Sequence, residues 1–383
     1  MKIIFKRQAL ASAIAPLMAT VANRSTVGAV DGILIEAKKP NEVILTTYDL
    51  DKGMRTKVEA NVEEEGYFIV NAQKFNQILY VMENDEIVLT IDDKNCATLV
   101  SGRSAFRLNA LDGEDFPAVP ALKSEMGFYI SQKVFREILA KTTYAMGTVD
   151  QRPVLNGCFV HVDDDSIMVV ACDSFKLAKC THKAEIRKGN ESDRYISYSF
   201  ILPQKTVSEL YKLLSNNEDD ITRIFLMRKH IVFEIGNIVF FSRLIEGEYI
   251  DYDRIILTEH KINAVVERDA LLSALERAAL ITEEKILGSV RSHVKLNIAG
   301  DVIEISAVST NGSSYDEVRI EKEGNDILIA FNNRYLMDSI RSCDTEKIML
   351  SLSTPLTSMN IEPVGADDGV EEIYMLLPVR MKE

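Results

Sequence analysis

Apolar residues at helical spacing mark six segments, near residues 6–22, 71–82, 131–145, 203–215, 267–281 and 332–343, and their starts lie 65, 60, 72, 64 and 65 residues apart. So even a period is the mark of one supersecondary unit copied along the chain. Three segments open alike, with Asn71-Ala72-Gln73-Lys74, Ser131-Gln132-Lys133 and Pro203-Gln204-Lys205, each after a β-like run and before a buried Leu/Ile face. The intervals read as about four strands each, as in Val43–Thr47, Ile167–Ala171 and Val302–Ile305, divided by Gly and Asp/Asn turns. Two further echoes set a longer period. Leu111-Asp112-Gly113-Glu114-Asp115-Phe116 returns 134 residues later as Ile245-Glu246-Gly247-Glu248-Tyr249-Ile250, and Asp49 is matched by Asp173, 124 residues on. The expected architecture is α+β: three similar domains of about 125 residues, each with two helices packed on β-sheets, over 1–125, 126–258 and 259–383.

Charge is segregated on this frame. The chain carries −14 at 46% hydrophobic content, as expected of a soluble globular protein with ample core, yet the six helices together sum to +6 and leave −20 on everything else. Arg7, Lys74, Lys133, Arg136, Lys141, Lys205, Lys212, Arg334 and Arg341 could form one basic surface if the helices share a face. No run of eighteen apolar residues is present to cross a bilayer as a helix. The five cysteines, at 96, 158, 172, 180 and 343, are dispersed and form no Cys-x-x-Cys pair, which points away from a disulfide framework or zinc knuckle and toward a reducing cytoplasm. Residues 1–24 imitate a secretion signal, with Lys2, Lys6 and Arg7 ahead of an apolar stretch. Pro16 interrupts that stretch, Ile3 and Phe5 alternate, and Leu10, Ile14, Leu17, Met18 and Val21 recur helically, so the segment reads as a strand followed by an amphipathic helix.

Catalytic patterns are missing. There is no Gly-x-x-x-x-Gly-Lys loop, no Gly-x-Gly-x-x-Gly, no His-Glu-x-x-His and no Gly-x-Ser-x-Gly, and the five histidines stand apart in sequence. Asp163-Asp164-Asp165 reads as a polar hairpin turn. Cys172 reads as a small buried or pocket-lining thiol, with catalysis by it as an alternative. No metal and no cofactor are expected.

Several stretches resemble the bacterial sliding clamp family, the beta subunits of DNA polymerase III. Ser101-Gly102-Arg103-Ser104 with Phe106 and Asp115-Phe116-Pro117 is similar to that family's end of domain one, and Leu155-Asn156-Gly157 to its domain-two opening. Ala171-Cys172-Asp173-Ser174-Phe175-Lys176-Leu177-Ala178 is similar to Ala-Thr-Asp-Gly-His-Arg-Leu-Ala, and Asp251-Tyr252 with Arg254-Ile255 and the ending Tyr374–Met381 resemble two further motifs. The resemblance runs in order from Met1 to the C-terminus.

This resemblance implies a homodimeric ring of six domains (the DNA clamp fold), with helices around a central hole for double-stranded DNA. It implies a cytoplasmic, non-catalytic processivity factor that tethers the DNA polymerase III alpha subunit, the clamp loader complex and other proteins carrying the clamp-binding motif. Arg24 and the loop with Thr148, Val149, Gln151 and Arg152 would contact DNA, together with Lys133, Arg136, Lys205 and Lys212; Val149 stands where the family often has glutamine. A peptide cleft would use Leu155, Cys172, Ser174, Phe175, Lys176, Leu177, Ile250, Arg254, Ile255, Leu356, Ser358, Met375, Leu376, Leu377, Pro378, Val379, Arg380 and Met381. The dimer seam would set Lys74, Phe75, Ile78, Arg103, Arg107 and Leu108 against Leu280, Ile281, Asp316 and Glu317. Two other readings make distinct predictions: a secreted or periplasmic β-rich binding protein would be cleaved after about residue 22, and an enzyme using Cys172 would alkylate rapidly there.

Overall fold

The computed structural model describes residues 1–22, 28–122, 124, 126–148, 150–190, 195–282, 293–310 and 312–381. Six α-helices lie among them: α1 (Arg7–Leu17), α2 (Ala72–Val81), α3 (Gln132–Thr142), α4 (Gln204–Leu213), α5 (Arg268–Thr282) and α6 (Asn333–Arg341). Each coincides with a segment expected from the periodicity, α5 running one residue past its expected end. The first twenty residues are a strand, Lys2–Lys6, then α1 and a 3-10 turn over Met18–Thr20, as the alternation and helical spacing predict. The α1 side chains Leu10, Ile14 and Leu17 are fully buried, at about 2 kcal/mol of transfer free energy each. Two helices begin on an asparagine for the same reason: Asn71 Oδ1 accepts the Lys74 amide at 2.9 Å and Asn332 Oδ1 that of Tyr335 at 3.2 Å, satisfying amides with no intrahelical partner.

The chain forms two compact units, and its central third divides between them. The first unit comprises residues 1–132, 187–194 and 212–244. It is built on a 14-stranded antiparallel sheet among the described residues, joined midway where Ile238–Arg243 pairs with Lys52–Glu59 and Phe240 faces Met54. Gly53 makes that join possible, since a Cβ there would lie 2.3 Å from the Phe241 ring and 2.6 Å from the Thr47 carbonyl. Phe241, Phe225, Leu34, Ile69 and Val232 close a core beside it.

The second unit comprises residues 133–186, 195–211 and 245–383 and holds a 12-stranded sheet. Its join is strand Lys176–Lys183 against Val370–Leu376, with Leu177 facing Met375 and Cys180 facing Glu372. Alternation sends Leu177, Lys179, Ile373 and Met375 to one face of this ladder and Ala178, Cys180, His182, Glu372 and Tyr374 to the other. The Asp49/Asp173 echo has a physical basis in both units. Asp173 Oδ1 accepts the Phe175 and Lys176 amides at 2.7 and 2.9 Å, and Asp49 Oδ1 accepts the Asp51 and Lys52 amides at 3.0 and 2.8 Å, so each aspartate closes the same Asx turn between two strands.

Candidate partner-binding cleft

A cavity of about 310 Å³ opens in the second unit, lined by Arg152, Leu155, Cys172, Asp173, Ser174, Phe175, Lys176, Ile250, Ile255, Met375 and Leu377. Four separate stretches build it. Pro153 starts a 3-10 turn over Pro153–Asn156 that drops Leu155 into the floor, and the Leu155 carbonyl accepts the Gly147 amide at 2.9 Å. The Asx turn at Asp173 then presents Ser174 and Phe175, and Leu377 is held beside them by its amide, 2.9 Å from the Phe175 carbonyl. Behind the lining, Val170, Leu177 and Ile256 complete a buried apolar cluster with Leu155, Cys172 and Met375.

The rim is polar and ordered. Lys176 is buried against the Asp173 carboxylate and sits 4.5 Å over the Tyr335 ring, whose own neighbour is Phe175 with centroids 6.2 Å apart. Arg152 spans the mouth: its guanidinium lies 3.1 Å from Ser174 Oγ and 3.3 Å from Asp150 Oδ1, and the Arg152 amide and guanidinium hold the Asp150 carboxyl below its ordinary range. Burial, followed by the nearby Asp173 charge, pushes the Cys172 thiol up to about 12, and its Sγ contacts the Asp173 carbonyl at 2.9 Å. A thiol so poised packs rather than attacks. An apolar floor about the size of two anchor side chains, ringed by Arg, Lys, Ser and Asp, suits a short peptide with large apolar anchors.

Three family models match the chain in succession: the N-terminal domain of the DNA polymerase III beta subunit over residues 1–120, its central domain over 129–251 and its C-terminal domain over 253–379. The chain belongs to the DNA polymerase III beta subunit family. The beta sliding clamp of Staphylococcus aureus is 28% identical over 390 residues, covering 99% of either chain. Among solved structures, a DNA polymerase sliding clamp from Pseudomonas aeruginosa bound to griselimycin shares 27% identity at TM-score 0.88, and a beta subunit from Eubacterium rectale 25% at 0.90, each covering both chains in full. The three-domain clamp fold is thereby that of this chain.

Of the cleft residues expected from the sliding clamp motifs, Leu155, Cys172, Ser174, Phe175, Lys176, Ile250, Ile255, Met375 and Leu377 meet in the cavity lining. Leu177 lies in the cluster beneath, and Ser358 and Leu376 are buried outside the lining. Arg254 points into solvent, 2.9 Å from Asp251, and Leu356 is 72% exposed. Pro378, Val379, Arg380 and Met381 follow the strand end outside the lining, with the Val379 amide 2.7 Å from the Ala330 carbonyl. Arg152, expected at the DNA, also lines the cleft mouth, where its guanidinium contacts Ser174 and Asp150.

Arg24 and Val149 lie outside the described residues. Thr148, Gln151, Lys205 and Lys212 are exposed, Lys133 is half-buried, and the Arg136 guanidinium stacks 4.1 Å over the Tyr211 ring. At the expected seam, Lys74, Arg103 and Arg107 are exposed and Leu108 is half-buried. Leu280 is 82% exposed, Ile281 half-buried and Glu317 exposed, while Asp316 is engaged by Arg277 at 2.6 Å within the chain. Phe75 and Ile78, expected at the same seam, face inward within the chain. The apolar stripe of α2 packs inward on its own sheet, so both are buried, whereas Tyr80 and Val81 at its end stand 71% and 67% exposed.

Two groupings escaped the sequence reading because they join distant strands. Ser199 Oγ lies 2.8 Å from His161 Nδ1, whose Nε2 is 3.1 Å from Asp163 Oδ2. Register alone accounts for this, since His161 pairs directly with Ser199 and Asp163 is two residues along the same face; both His161 and Asp163 are partly solvent-exposed on the sheet. The second grouping is buried. Lys141 of α3 pairs with Glu372 and with Asp344 at 2.8 Å, and the Tyr374 hydroxyl lies 2.7 Å from Glu372 Oε2. Burial opposes the Lys141 charge, but its bonds to Asp344 and Glu372 outweigh that and raise it above the ordinary lysine value. Burial, reinforced by Lys141, holds His182 below the ordinary imidazole value.

Proposed function

We propose that this protein is the DNA sliding clamp of its cell: a homodimeric ring of six domains, bounded in each chain near 125 and 258, that encircles duplex DNA and tethers the replicative polymerase. It does no chemistry itself. The cleft at Leu155, Cys172, Phe175 and Met375 takes a short peptide of Gln-Leu-x-Leu-Phe type from the polymerase alpha subunit, the clamp loader and other partners, with the Leu and Phe anchors in the floor and Arg152 and Lys176 on the rim. Lys133, Arg136, Lys205, Lys212, Thr148 and Gln151 supply weak, sequence-independent phosphate contacts, together with Arg24. A closed ring retains DNA by topology, so a modest basic lining is compatible with a net charge of −14. Such a factor works where replication does, in the cytoplasm.

The observation that carries this reading is the convergence of family motifs from residues 155, 172–176, 250–255 and 375–377 on one cavity, in a chain matched by all three domain models. The test is binding of a fluorescent Gln-Leu-Asp-Leu-Phe peptide to the full-length protein and to a Phe175→Ala/Leu377→Ala variant, both checked for fold by circular dichroism. Phe175 and Leu377 are 56% and 41% exposed, so their truncation should spare the fold. Saturable binding that the variant weakens at least tenfold is expected. Absence of binding by folded protein at about 1 mM, an affinity near 4 kcal/mol, would overturn the assignment of the cleft.

A further inference from the structure

The face of the Lys176–Lys183 and Val370–Leu376 ladder opposite the cleft carries three metal-ligating side chains. Cys180 and His182 stand two residues apart on one strand and Glu372 directly opposite Cys180 on the other, so the pleat points all three the same way. A thiol sulfur, an imidazole nitrogen and a carboxylate oxygen lie within 4.8 Å of one another, with Cys180 fully buried, His182 7% exposed and Glu372 5% exposed. Nε2 of His182 is buried and has no hydrogen-bond partner among the described residues. A buried imidazole with an unpartnered ring nitrogen, grouped with a thiol and a carboxylate, is a donor set that a soft cation could complete. The same place already accommodates positive charge, because the Lys141 ammonium sits on Glu372.

We propose that Cys180, His182 and Glu372 form a three-ligand site for a borderline-soft divalent cation of the zinc class, with Lys141 as its built-in competitor. Thiolate and imidazole donors select zinc-like ions over calcium or magnesium, which take oxygen ligands. Bonds of 2.0–2.3 Å to a tetrahedral ion place ligand atoms about 3.5 Å apart, so the three side chains close by roughly 1 Å on binding. Cys180 enters as thiolate and its proton leaves to solvent. Lys141 has a second acceptor in place: the Asp344 carboxylate, 2.8 Å from its Nζ and 74% exposed, receives the ammonium when the ion takes Glu372. The side chain of Lys141 is 14% exposed and Asp344 marks the solvent side, so the lysine is also the gate.

The test is titration of chelator-treated, full-length protein with cobalt(II), then zinc(II). One equivalent of cobalt should bind with a thiolate-to-metal charge-transfer band, and zinc should abolish it. Cys180→Ser should remove the band. Lys141→Met, which lifts the competition, should tighten cobalt binding about tenfold, and Asp344→Asn, at an exposed position, should weaken it several-fold by removing the lysine's alternative acceptor. No saturable cobalt binding by the wild type up to about 1 mM, or a band that survives Cys180→Ser, overturns the site. The proposal stands apart from the clamp reading, since peptide binding by a protein without cobalt binding would refute it alone.

Discussion

Removing Lys141 and removing Glu372 should have unequal consequences. The Glu372 side chain is 2% exposed, and its partners are the Lys141 ammonium and the Tyr374 hydroxyl at 2.7 Å. Lys141→Met leaves that carboxylate buried with one neutral donor, which costs about 3–5 kcal/mol. Glu372→Gln keeps the shape, retains an acceptor for Tyr374 and leaves Lys141 bound to Asp344 at 2.8 Å near solvent, for a cost of about 1–2 kcal/mol. Lys141→Met/Glu372→Gln should therefore be more stable than Lys141→Met alone, with a coupling of about 2 kcal/mol. Whole-chain unfolding of a multidomain protein is not two-state, so the appropriate readout is native-state hydrogen exchange of the amides in residues 176–183 and 370–376. At 1.36 kcal/mol per decade, Lys141→Met should accelerate exchange by about 10²–10⁴ and Glu372→Gln by about tenfold. Because the folded-state value of Lys141 is raised, its contribution is complete below the unfolded value near pH 10.4 and is lost as pH rises through the folded one. The wild-type advantage over Glu372→Gln should thus be flat from pH 7 to about 10. Equal costs for the two single variants, or a double variant worse than their sum, would refute the argument.

Gly127→Ala places a Cβ 2.2 Å from the Ile224 carbonyl inside a paired strand, and should cost about 2 kcal/mol or more, seen as a lower first thermal transition; an unchanged transition would show that the strand can shift freely. With its thiol near 12, Cys172 should alkylate about 10³-fold more slowly than a free thiol at neutral pH, and its rate should still be rising at pH 10, as peptide mass mapping of iodoacetamide adducts can check; modification at the free-thiol rate would contradict its burial. Arg152→Ala, at a side chain 55% exposed, should shift stability by less than about 0.5 kcal/mol while weakening the fluorescent peptide several-fold and leaving DNA retention unchanged; the reverse pattern would return Arg152 to the DNA contacts.

What the sequence makes legible is what local pattern controls. Helices α1 to α6, the strand ahead of α1 and the hairpin at Asp163–Asp165 follow from periodicity and turn chemistry within a dozen residues. Nine cleft residues follow from motifs because each motif is a short contiguous turn or strand end. What the motifs leave open is side-chain direction. Arg152 is adjacent in sequence to the loop read as DNA-binding, and its guanidinium lies 3.1 Å from Ser174 Oγ, 22 residues away, a contact that sequence does not reveal. Lys141 and Arg341 count as helix cations, but Lys141 is spent on Glu372 and Asp344, and Arg341 on Glu276 and Asp338, so the basic helix surface is smaller than the tally of charges. The pairing of Cys180 with Glu372 bridges 192 residues, a separation at which no window on the sequence sees both.

The strand pair that carries the cleft also carries the buried ion cluster, and pleat alternation keeps the two apart. Leu177 and Met375 face the cleft cluster; Cys180 and Glu372, three residues along, or about 10 Å, face the other way under α3. Two registered pairs lie between them in a ladder of seven, so a change of charge on the inner face meets paired backbone before it can reach the cleft floor. Glu372→Gln should therefore loosen the ladder in hydrogen exchange yet leave peptide affinity within about twofold, because Glu372 is not among the residues that line the cleft. If peptide affinity instead falls in step with exchange protection, the ladder is pliable, and occupancy of the inner cluster would tune partner binding on the outer face.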